Sequence, residues 1–449
     1  MMGAPLDQTR RRKLGVGILL TLTACVGSGI VVAPSELPAQ STSSGTHTVL
    51  RFVSWKPDHP HVWAEAIARF TKIHPTISVE REIAPHSSTA YHDLLSQKLK
   101  NGDRTVDLFF MDVIWIPEFA AAGWALPIQQ RFPAAEQEKF IPATIKAGTY
   151  KGNVYGVPSR IDGGMLYYRK DLLDAYGFHP PETWEDLARQ AQVILNGEQE
   201  KNPALRGYSG QFKQYEGLVC NMLEFIESNG GQLVNEEQGR SALATPASLE
   251  AVRFVRDRVM RHLASQAVLM YQEPESLSAF VRGNAVFHRN WPYAWDVSND
   301  PTRSIIVGKV GVAPLPRFPG GRSVSALGGW LYGISAYSEH PEQAWQFISF
   351  LSGYDMQKYF AIHAGIAPSR ISLYADPAVL KAHPFYRDQF RVFQGTTPRP
   401  RSPLYPAISH ILQRYFSRAL AFPADSDLHL EALGADRQIN LLLDVTAGH

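Results

Sequence analysis

The alternation of strand and helix patterns between residues 49 and 113 restricts the possible folds more than any other feature. Residues 49–55 are apolar and β-branched enough for a buried strand, and the stretches 77–83 and 106–113 predict two more. Apolar residues at helical spacing occupy the intervals between them, at 63–73 and 94–99. Strand, helix, strand, helix and strand in this order predict a parallel α/β sheet.

The carboxyl end of the third predicted strand is a candidate binding position. Parallel sheets bind ligands at the carboxyl ends of their strands, and Asp112 lies at such an end. Asp112 could instead be the N-cap of the helical pattern 114–122 that follows it. The residues alone leave both interpretations open.

Aromatic residues around a proline form a second candidate site. Trp291, Tyr293 and Trp295 lie within five residues, and Pro292 excludes a regular helix or central strand between them. A second bend at 327–330 places two glycines beside a tryptophan, and glycines let the backbone approach a ligand closely. Flat apolar faces beside polar side chains suit a sugar. By pattern alone, burial in a core is the commoner fate of large aromatics.

The N-terminus has the pattern of a lipoprotein signal. A basic segment, 10–13, precedes an apolar run, 14–22, that is too short to span a bilayer. The run ends in Leu-Thr-Ala-Cys, which resembles a bacterial lipobox. We therefore predict a signal peptide at 1–24, lipidation of Cys25, a flexible tether at 25–46, and export to the periplasmic face of the cytoplasmic membrane or to the cell surface. A signal peptide cleaved elsewhere, with Cys25 incidental, is the alternative.

Size and charge indicate a multidomain protein that does not bind nucleic acid. The chain has 449 residues, which is enough for two or three domains. Removal of 1–24 takes away four basic residues and one acidic residue, so the formal net charge falls from +2 to about −1. This balance does not fit nucleic-acid binding. Once Cys25 is lipidated, Cys220 has no disulfide partner.

Catalytic and metal-binding signatures are scarce. The chain contains no H-E-x-x-H, G-x-S-x-G or G-x-x-x-x-G-K-[ST] motif, and its histidines are dispersed. We therefore predict no enzymatic activity, no cofactor and no metal. Asp112 and Asp162 could be the carboxylate pair of a glycoside hydrolase. They could equally be two acceptors of sugar hydroxyls.

Capping signals predict several helix starts beyond the first sheet. Thr183 is followed three residues later by Asp186, as in a capping box, and Thr245 precedes a proline at a first-turn position. Apolar spacing predicts further helices at 340–352, 405–421 and 428–445.

Six motifs of this chain resemble, in the same order, those of extracellular solute-binding proteins (family 1) of carbohydrate ABC importers. They are most similar to the trehalose/maltose-binding proteins, and the resemblance covers about 49–421. The motifs are 110–113, 167–173, 213–220, 289–295, 311–316 and 327–330.

The resemblance implies an α/β protein with the two-lobed periplasmic-binding-protein fold of class II type and three inter-lobe crossings. It places 47–158 and 317–363 in the N-lobe, and 159–316 and 364–449 in the C-lobe. It further implies a monomer that binds a sugar between the lobes and delivers it to ABC permease subunits.

The resemblance also implies the residues that bind the sugar. Asp112 and Asp162 would accept hydroxyl hydrogen bonds, Trp291 and Trp330 would stack on pyranose faces, and Tyr293 would add edge contacts. The backbone at Gly328 and Gly329 would border the sugar, and Arg399 would donate from the far lobe. Glu216 lies in a matched motif, with a helix cap at a lobe surface as its alternative role.

Three positions depart from the trehalose/maltose pattern. His59 and Tyr91 (or His92) stand where that family has an acidic residue and an arginine, and Arg160 stands for a tyrosine just before Asp162. The expected ligand is therefore a disaccharide or glucoside of the trehalose, maltose, sucrose or glucosylglycerol type. A sugar-sensing lipoprotein without a transporter is a further alternative, beside the hydrolase.

Overall fold

The computed structural model describes residues 47–55, 59–235, 237–421 and 427–447. The predicted signal peptide 1–24, Cys25 and the tether up to residue 46 lie outside the described residues. Among the described residues, no helix has both the length and the apolar character needed to cross a membrane.

The strands are short and fall mainly into two sheets. They are β1 (Thr48–Trp55), β2 (Ile77–Ala84), β3 (Leu108–Asp112), β4 (Thr149–Tyr150), β5 (Asn153–Val154), β6 (Val157–Gly163), β7 (Met165–Arg169), β8 (Arg206–Ser209), β9 (Val234–Asn235), β10 (Arg240–Ser241), β11 (Ala285–Asn290), β12 (Val310–Ala313) and β13 (Leu327–Ile334).

Helices surround both sheets. They are α1 (Pro60–Ile73), α2 (Ser88–Lys100), α3 (Ile116–Ala121), α4 (Ala134–Gln137), α5 (Pro142–Ala147), α6 (Lys170–Ala175), α7 (Trp184–Glu198), α8 (Glu216–Ser228), α9 (Pro246–Phe254), α10 (Glu273–Val281), α11 (Ala294–Asn299), α12 (Pro341–Ser352), α13 (Tyr354–Ala364), α14 (Pro377–Ala382), α15 (Tyr386–Gln394), α16 (Tyr405–Ala421) and α17 (Leu428–Ala447), with a π-helical segment at Val255–Leu263 and 3₁₀ turns at Gln266–Met270 and Ile371–Ala375.

The first sheet has the strand order β2-β1-β3-β13-β6. Strands β1, β2 and β3 run parallel, as the alternation of patterns between 49 and 113 predicted. Strand β13 returns antiparallel between β3 and β6. Every residue of β3 is buried, because helices cover both faces of a parallel sheet.

The second sheet has the order β12-β7-β11-β8 and a separate hydrophobic core. The core of the first sheet includes Phe52, Phe110 and Tyr332, and the main core of the second includes Trp184 and Phe225. A smaller cluster with Tyr167 and Phe280 also packs on the second sheet. We call the parts built around the two cores the first lobe and the second lobe. The two-lobed α/β fold that the resemblance implied is confirmed.

Within the described residues, the chain passes between the main cores of the two sheets three times. The crossings lie at Gly164 between β6 and β7, in the segment that ends at Leu327, and between Phe393 and Ile408. The predicted lobe boundaries placed 364–449 in the C-lobe, yet buried side chains from 364 to 405 pack with the core of the first sheet. We therefore propose that the third crossing comes between Phe393 and Ile408, at the start of α16.

The predicted helix starts at Thr183 and Thr245 are present. The Thr183 hydroxyl accepts a hydrogen bond from the Asp186 amide at 3.1 Å, and the Thr245 hydroxyl accepts one from the Ser248 amide at 3.4 Å. Each bond satisfies an amide that the first helical turn leaves without a partner.

Candidate functional site

A cleft bordered by both lobes gathers the residues that the sequence singled out. Its volume is about 1180 Å³, counting the open mouth. All twelve residues expected to bind ligand line it: His59, Tyr91, Asp112, Arg160, Asp162, Glu216, Trp291, Tyr293, Gly328, Gly329, Trp330 and Arg399. Their assembly around one cavity is an observation, and their contact with a ligand stays a prediction.

Strand β13 sets the spacing of the polar and aromatic groups. Trp330 lies opposite Asp112 of β3, and Gly328 lies opposite Asp162 of β6. The two carboxylates therefore stand on the strands to either side of β13. Gly329 has a φ of +136°, where a side chain would be strained, and a Cβ there would meet a backbone oxygen of β6 at 2.7 Å. Glycine is required for this close approach.

Aromatic neighbours hold the Trp330 indole in place. The Tyr91 ring is stacked on it at 5.8 Å between centroids and 13° between planes, and the Trp55 and Trp115 rings lie at 4.4 and 5.3 Å. The indole itself is half-buried. Contacts on several sides fix its orientation before any ligand arrives.

Tyr91 lies behind this indole. It is 1% exposed, and its hydroxyl donates to the Val53 carbonyl at 2.7 Å. The geometry favours a supporting role under Trp330 over the direct sugar contact that the resemblance implied. His92, the other candidate for this position, is outside the cleft lining and pairs with Glu118 at 2.5 Å.

The Trp291 indole forms the wall on the second lobe. It is half-buried, and its Nε1 donates to Glu273 Oε1 at 3.2 Å. The guanidinium of Arg289 lies 3.9 Å from its ring centroid. A Cβ at Gly328 would come within 3.0 Å of the indole, so glycine leaves room for it. Trp295 of the same motif packs instead on Phe385.

Arg399 joins the two lobes through a buried ionic bridge. It donates to Asp112 at 3.3 Å and to Glu216 at 2.8 Å. Glu216 also accepts bonds from the hydroxyls of Tyr405 and Ser409. The alternative of a surface cap does not hold for Glu216, because the side chain is buried and ion-paired. The terminal nitrogens of Arg399 thus donate to two carboxylates and also to the Leu327 carbonyl at 3.1 Å, and the donation to sugar that the resemblance implied stays a prediction.

Burial controls the charge of the cleft carboxylates. Removal from water raises the pKa of Asp112 to about 6, and the Arg399 guanidinium only partly offsets this. Burial likewise raises the pKa of Asp162, with Arg160 opposing the shift from 3.0 Å. The Arg160 guanidinium also lies 4.6 Å from the Trp55 ring.

The helix-cap interpretation of Asp112 is wrong. Helix α3 begins at Ile116 with Trp115 at its N-cap and no side-chain capping bond. Asp112 accepts a bond from the Ile114 amide at 3.3 Å, within the turn that precedes the helix. Its other neighbours are those of the cleft.

Several residues of the cleft had not been predicted. They are Trp55, Trp63, His86, Ser88, Gly217, Cys220, Glu273, Ala364 and Ile366. Trp55 ends β1, so the rule that ligands bind at carboxyl ends of strands could have found it. Glu273 opens a helix before a proline and has the pattern of an ordinary helix start. Among the described residues, no group of three His, Cys, Asp or Glu side chains could hold a metal ion.

Comparisons with known proteins agree with this fold. A sequence model of bacterial extracellular solute-binding proteins matches residues 56–358. A probable ABC transporter-binding protein of Deinococcus radiodurans is 38% identical over 317 residues, which are 70% of this chain and 74% of the relative. The maltotriose-binding protein of Pyrococcus abyssi is 23% identical over 87% of this chain and 81% of its own length.

A solved structure supports the same assignment. The maltose-bound MalE3 of T. maritima superposes with a TM-score of 0.83 at 36% identity, covering 88% of this chain and all of that one. These relatives are substrate-binding proteins and not enzymes, so the hydrolase alternative is not supported. The chain belongs to the bacterial extracellular solute-binding protein family.

Proposed function

We propose that this protein binds a disaccharide or a glucoside of similar size in the cleft and delivers it to the permease of an ABC importer. One observation carries the proposal. Two half-buried indoles, Trp291 and Trp330, border one cleft together with the buried carboxylates Asp112 and Asp162. Indole faces match the apolar faces of a pyranose, and carboxylates are strong acceptors for its hydroxyls.

Maltose is the first ligand to test, because a 36% identical neighbour holds maltose. The polar groups around Asp162 are a reason to test other sugars as well. Arg160 already pairs with Asp162, and His59 borders the same cleft. A site with this donor set rejects sugars that leave its buried groups without partners. Trehalose, sucrose and glucosylglycerol therefore belong in the same screen.

The family supports export, and the lipid anchor is part of our proposal. Residues 22–25 carry the lipobox-like sequence, which would tether the protein near its permease. Metabolic labelling with a fatty acid should modify the wild-type chain and leave Cys25→Ala unlabelled. Equal labelling of both would contradict an anchor at Cys25.

Calorimetry with the four sugars tests the binding function. We expect one of them to bind with a dissociation constant of about 1 μM or below, equivalent to roughly −8 kcal/mol. A ligand at 100 times that constant should stabilise the fold by about 2.7 kcal/mol in a thermal-shift assay. No binding by any of the four, or release of monosaccharide from them, would count against the proposal.

Trp291→Ala tests the aromatic wall directly. Loss of the indole should weaken sugar binding by about 10-fold or more, because stacking contributes on the order of 1–2 kcal/mol. Trp295→Ala is the matched control, since that indole packs on Phe385 and does not line the cleft. Wild-type affinity in Trp291→Ala would show that the indole does not hold the sugar.

A further inference from the structure

A buried ion pair lies behind the Trp291 indole, which forms the wall of the cleft on the second lobe. Neither side chain of the pair lines the cleft. Arg289 and Glu224 make two parallel hydrogen bonds, of 2.8 and 2.5 Å, and their side chains are 0% and 2% exposed. Gln211 Oε1 accepts a third bond from Arg289 at 3.2 Å. Burial of two charges is expensive, and replacing such a pair by apolar residues is often neutral or stabilising. Stability alone is therefore a poor explanation for this pair.

The pair contacts two of the three crossings between the lobes. Glu224 Oε1 accepts a hydrogen bond from the amide of Ala326, just before β13, at 3.1 Å. The Ser325 hydroxyl donates to the Gly164 carbonyl at 2.6 Å, which ties the two crossings together. Gly164 packs so closely that a Cβ would lie 1.9 Å from Glu224 Oε1.

The same pair contacts the aromatic wall. The Arg289 guanidinium lies 3.9 Å from the Trp291 ring centroid, within the range of a cation–π interaction. Glu224 fixes that guanidinium with both carboxylate oxygens. One rigid group thus touches the wall on one side and the crossings on the other.

We propose that Arg289 and Glu224 are positioning residues that couple the Trp291 indole to the crossings between the lobes, which act as the hinge. The pair sets the resting angle between the lobes and the orientation of the indole, although neither side chain lines the cleft. Sugar affinity then depends on groups that touch no sugar. The part that concerns affinity rests on the proposed function, and the part that concerns the hinge does not.

Two variants and a control separate this coupling from simple stabilisation. Glu224→Gln leaves a buried guanidinium without its counter-charge and should lower the melting temperature as well as the affinity. The double variant Arg289→Met/Glu224→Leu removes both charges and should fold. The matched control is Arg169→Met/Asp171→Leu, which removes a bidentate pair of the same lobe that contacts neither a crossing nor the cleft.

Two readouts are needed. The first is the dissociation constant of the sugar identified by calorimetry. The second is the distance distribution between spin labels on cysteines introduced at Lys72 and Glu200, measured without sugar. Both positions are exposed, one on each lobe. Cys220 is buried but borders the cleft, so a protein with Cys220 as its single cysteine is the labelling control. Cys25 is replaced by serine in all labelled proteins.

We expect the double variant to melt close to wild type, to bind about 10-fold more weakly, and to show a broadened or shifted distance distribution. The control should keep both wild-type values. Wild-type affinity and distances in the double variant would overturn the inference, as would equal losses in the control. If the wild type binds no sugar, the proposed function fails. The distances measured without sugar still test the coupling to the hinge. A changed distance distribution in the double variant supports the coupling, and an unchanged one overturns it.

Discussion

At the scale of single residues, the cleft shows a conflict between burial and charge. Asp112 is 7% exposed, and burial raises its pKa to about 6. Its ionised form accepts hydrogen bonds from Arg399 and the Ile114 amide. In the proposed function that form also accepts from a sugar hydroxyl. The protein therefore retains a costly charge at the position where an acceptor is needed.

Sugar affinity should depend on this ionisation. Above pH 6 Asp112 is charged and a strong acceptor, and below pH 6 it is protonated and a weaker one. We expect the association constant to fall several-fold between pH 7 and pH 5, measured by calorimetry. In Asp112→Asn, affinity should be weaker throughout and its dependence on pH in this range should shrink. The same pH profile in both proteins would exclude Asp112 as the titrating group.

The contribution of Asp112 to the free energy of unfolding should change with pH in the direction opposite to the sugar affinity. The folded-state pKa of Asp112 is raised, so folding favours its protonated form. The resulting stabilisation is complete below about pH 4 and is lost as pH rises through 6; it amounts to about 3 kcal/mol. Asp296, whose pKa burial raises to about 7, has the same sign. The difference in unfolding free energy between wild type and Asp112→Asn, followed with pH, isolates the contribution of Asp112.

Substitutions of Tyr91 test whether this residue supports Trp330 or contacts the sugar directly. Tyr91→Phe removes the bond to the Val53 carbonyl but keeps the ring stacked on Trp330. We expect a loss of about 1 kcal/mol of stability and an unchanged sugar affinity. Tyr91→Ala should weaken binding, because Trp330 loses its backing ring. A large loss of affinity in Tyr91→Phe would instead assign the hydroxyl to the ligand.

At the scale of secondary-structure elements, β13 and the turn at Gly164 decide the geometry. Strand β13 carries Gly328, Gly329 and Trp330 in succession. Trp330 lies opposite Asp112 on one neighbouring strand, and Gly328 lies opposite Asp162 on the other. Gly164 lets β6 pass directly into β7 over the Arg289–Glu224 pair. Close backbone approach at both places depends on the absence of a side chain.

Gly164→Ala should destabilise the protein strongly. Its Cβ would lie 1.9 Å from a buried carboxylate oxygen, so the ion pair or the crossing must shift. We expect a loss of about 2 kcal/mol or more in denaturant unfolding. Gly434→Ala is the control, because its Cβ meets nothing within 4 Å on helix α17. That variant should gain up to about 1 kcal/mol. Equal stability of both variants would contradict the packing at Gly164.

At the scale of the whole molecule, three crossings between two cores allow the lobes to move as units. A ligand that contacts both lobes selects the closed arrangement. Small-angle scattering should therefore show a smaller radius of gyration with the binding sugar at saturation. A sugar that calorimetry finds not to bind, at the same concentration, is the control. Identical scattering with and without the binding sugar would argue against closure.

Local patterns anticipated much of the fold. Strand and helix periodicity predicted β1 to β3 with α1 and α2, and threonine caps predicted the starts of α7 and α9. The predicted lobe boundaries stay a prediction, and the helices of 364–405 carry no local signal of the first-sheet core on which their buried side chains pack. The π-helical segment that continues α9 was also not foreseen.

The sequence by itself singled out twelve of the residues that line the cleft, through strand ends, the proline-interrupted aromatics, the paired glycines and the resemblance that these motifs carry. Only the tertiary structure decided how those residues contact one another. It placed Tyr91 behind Trp330, engaged Arg399 with Asp112 and Glu216, and set Arg289 and Glu224 between the wall and the crossings. The physical reason is that periodicity and turn chemistry act between near neighbours in the chain. Ion pairs, ring stacking and burial join side chains far apart in sequence, and they exist only once both lobes have formed.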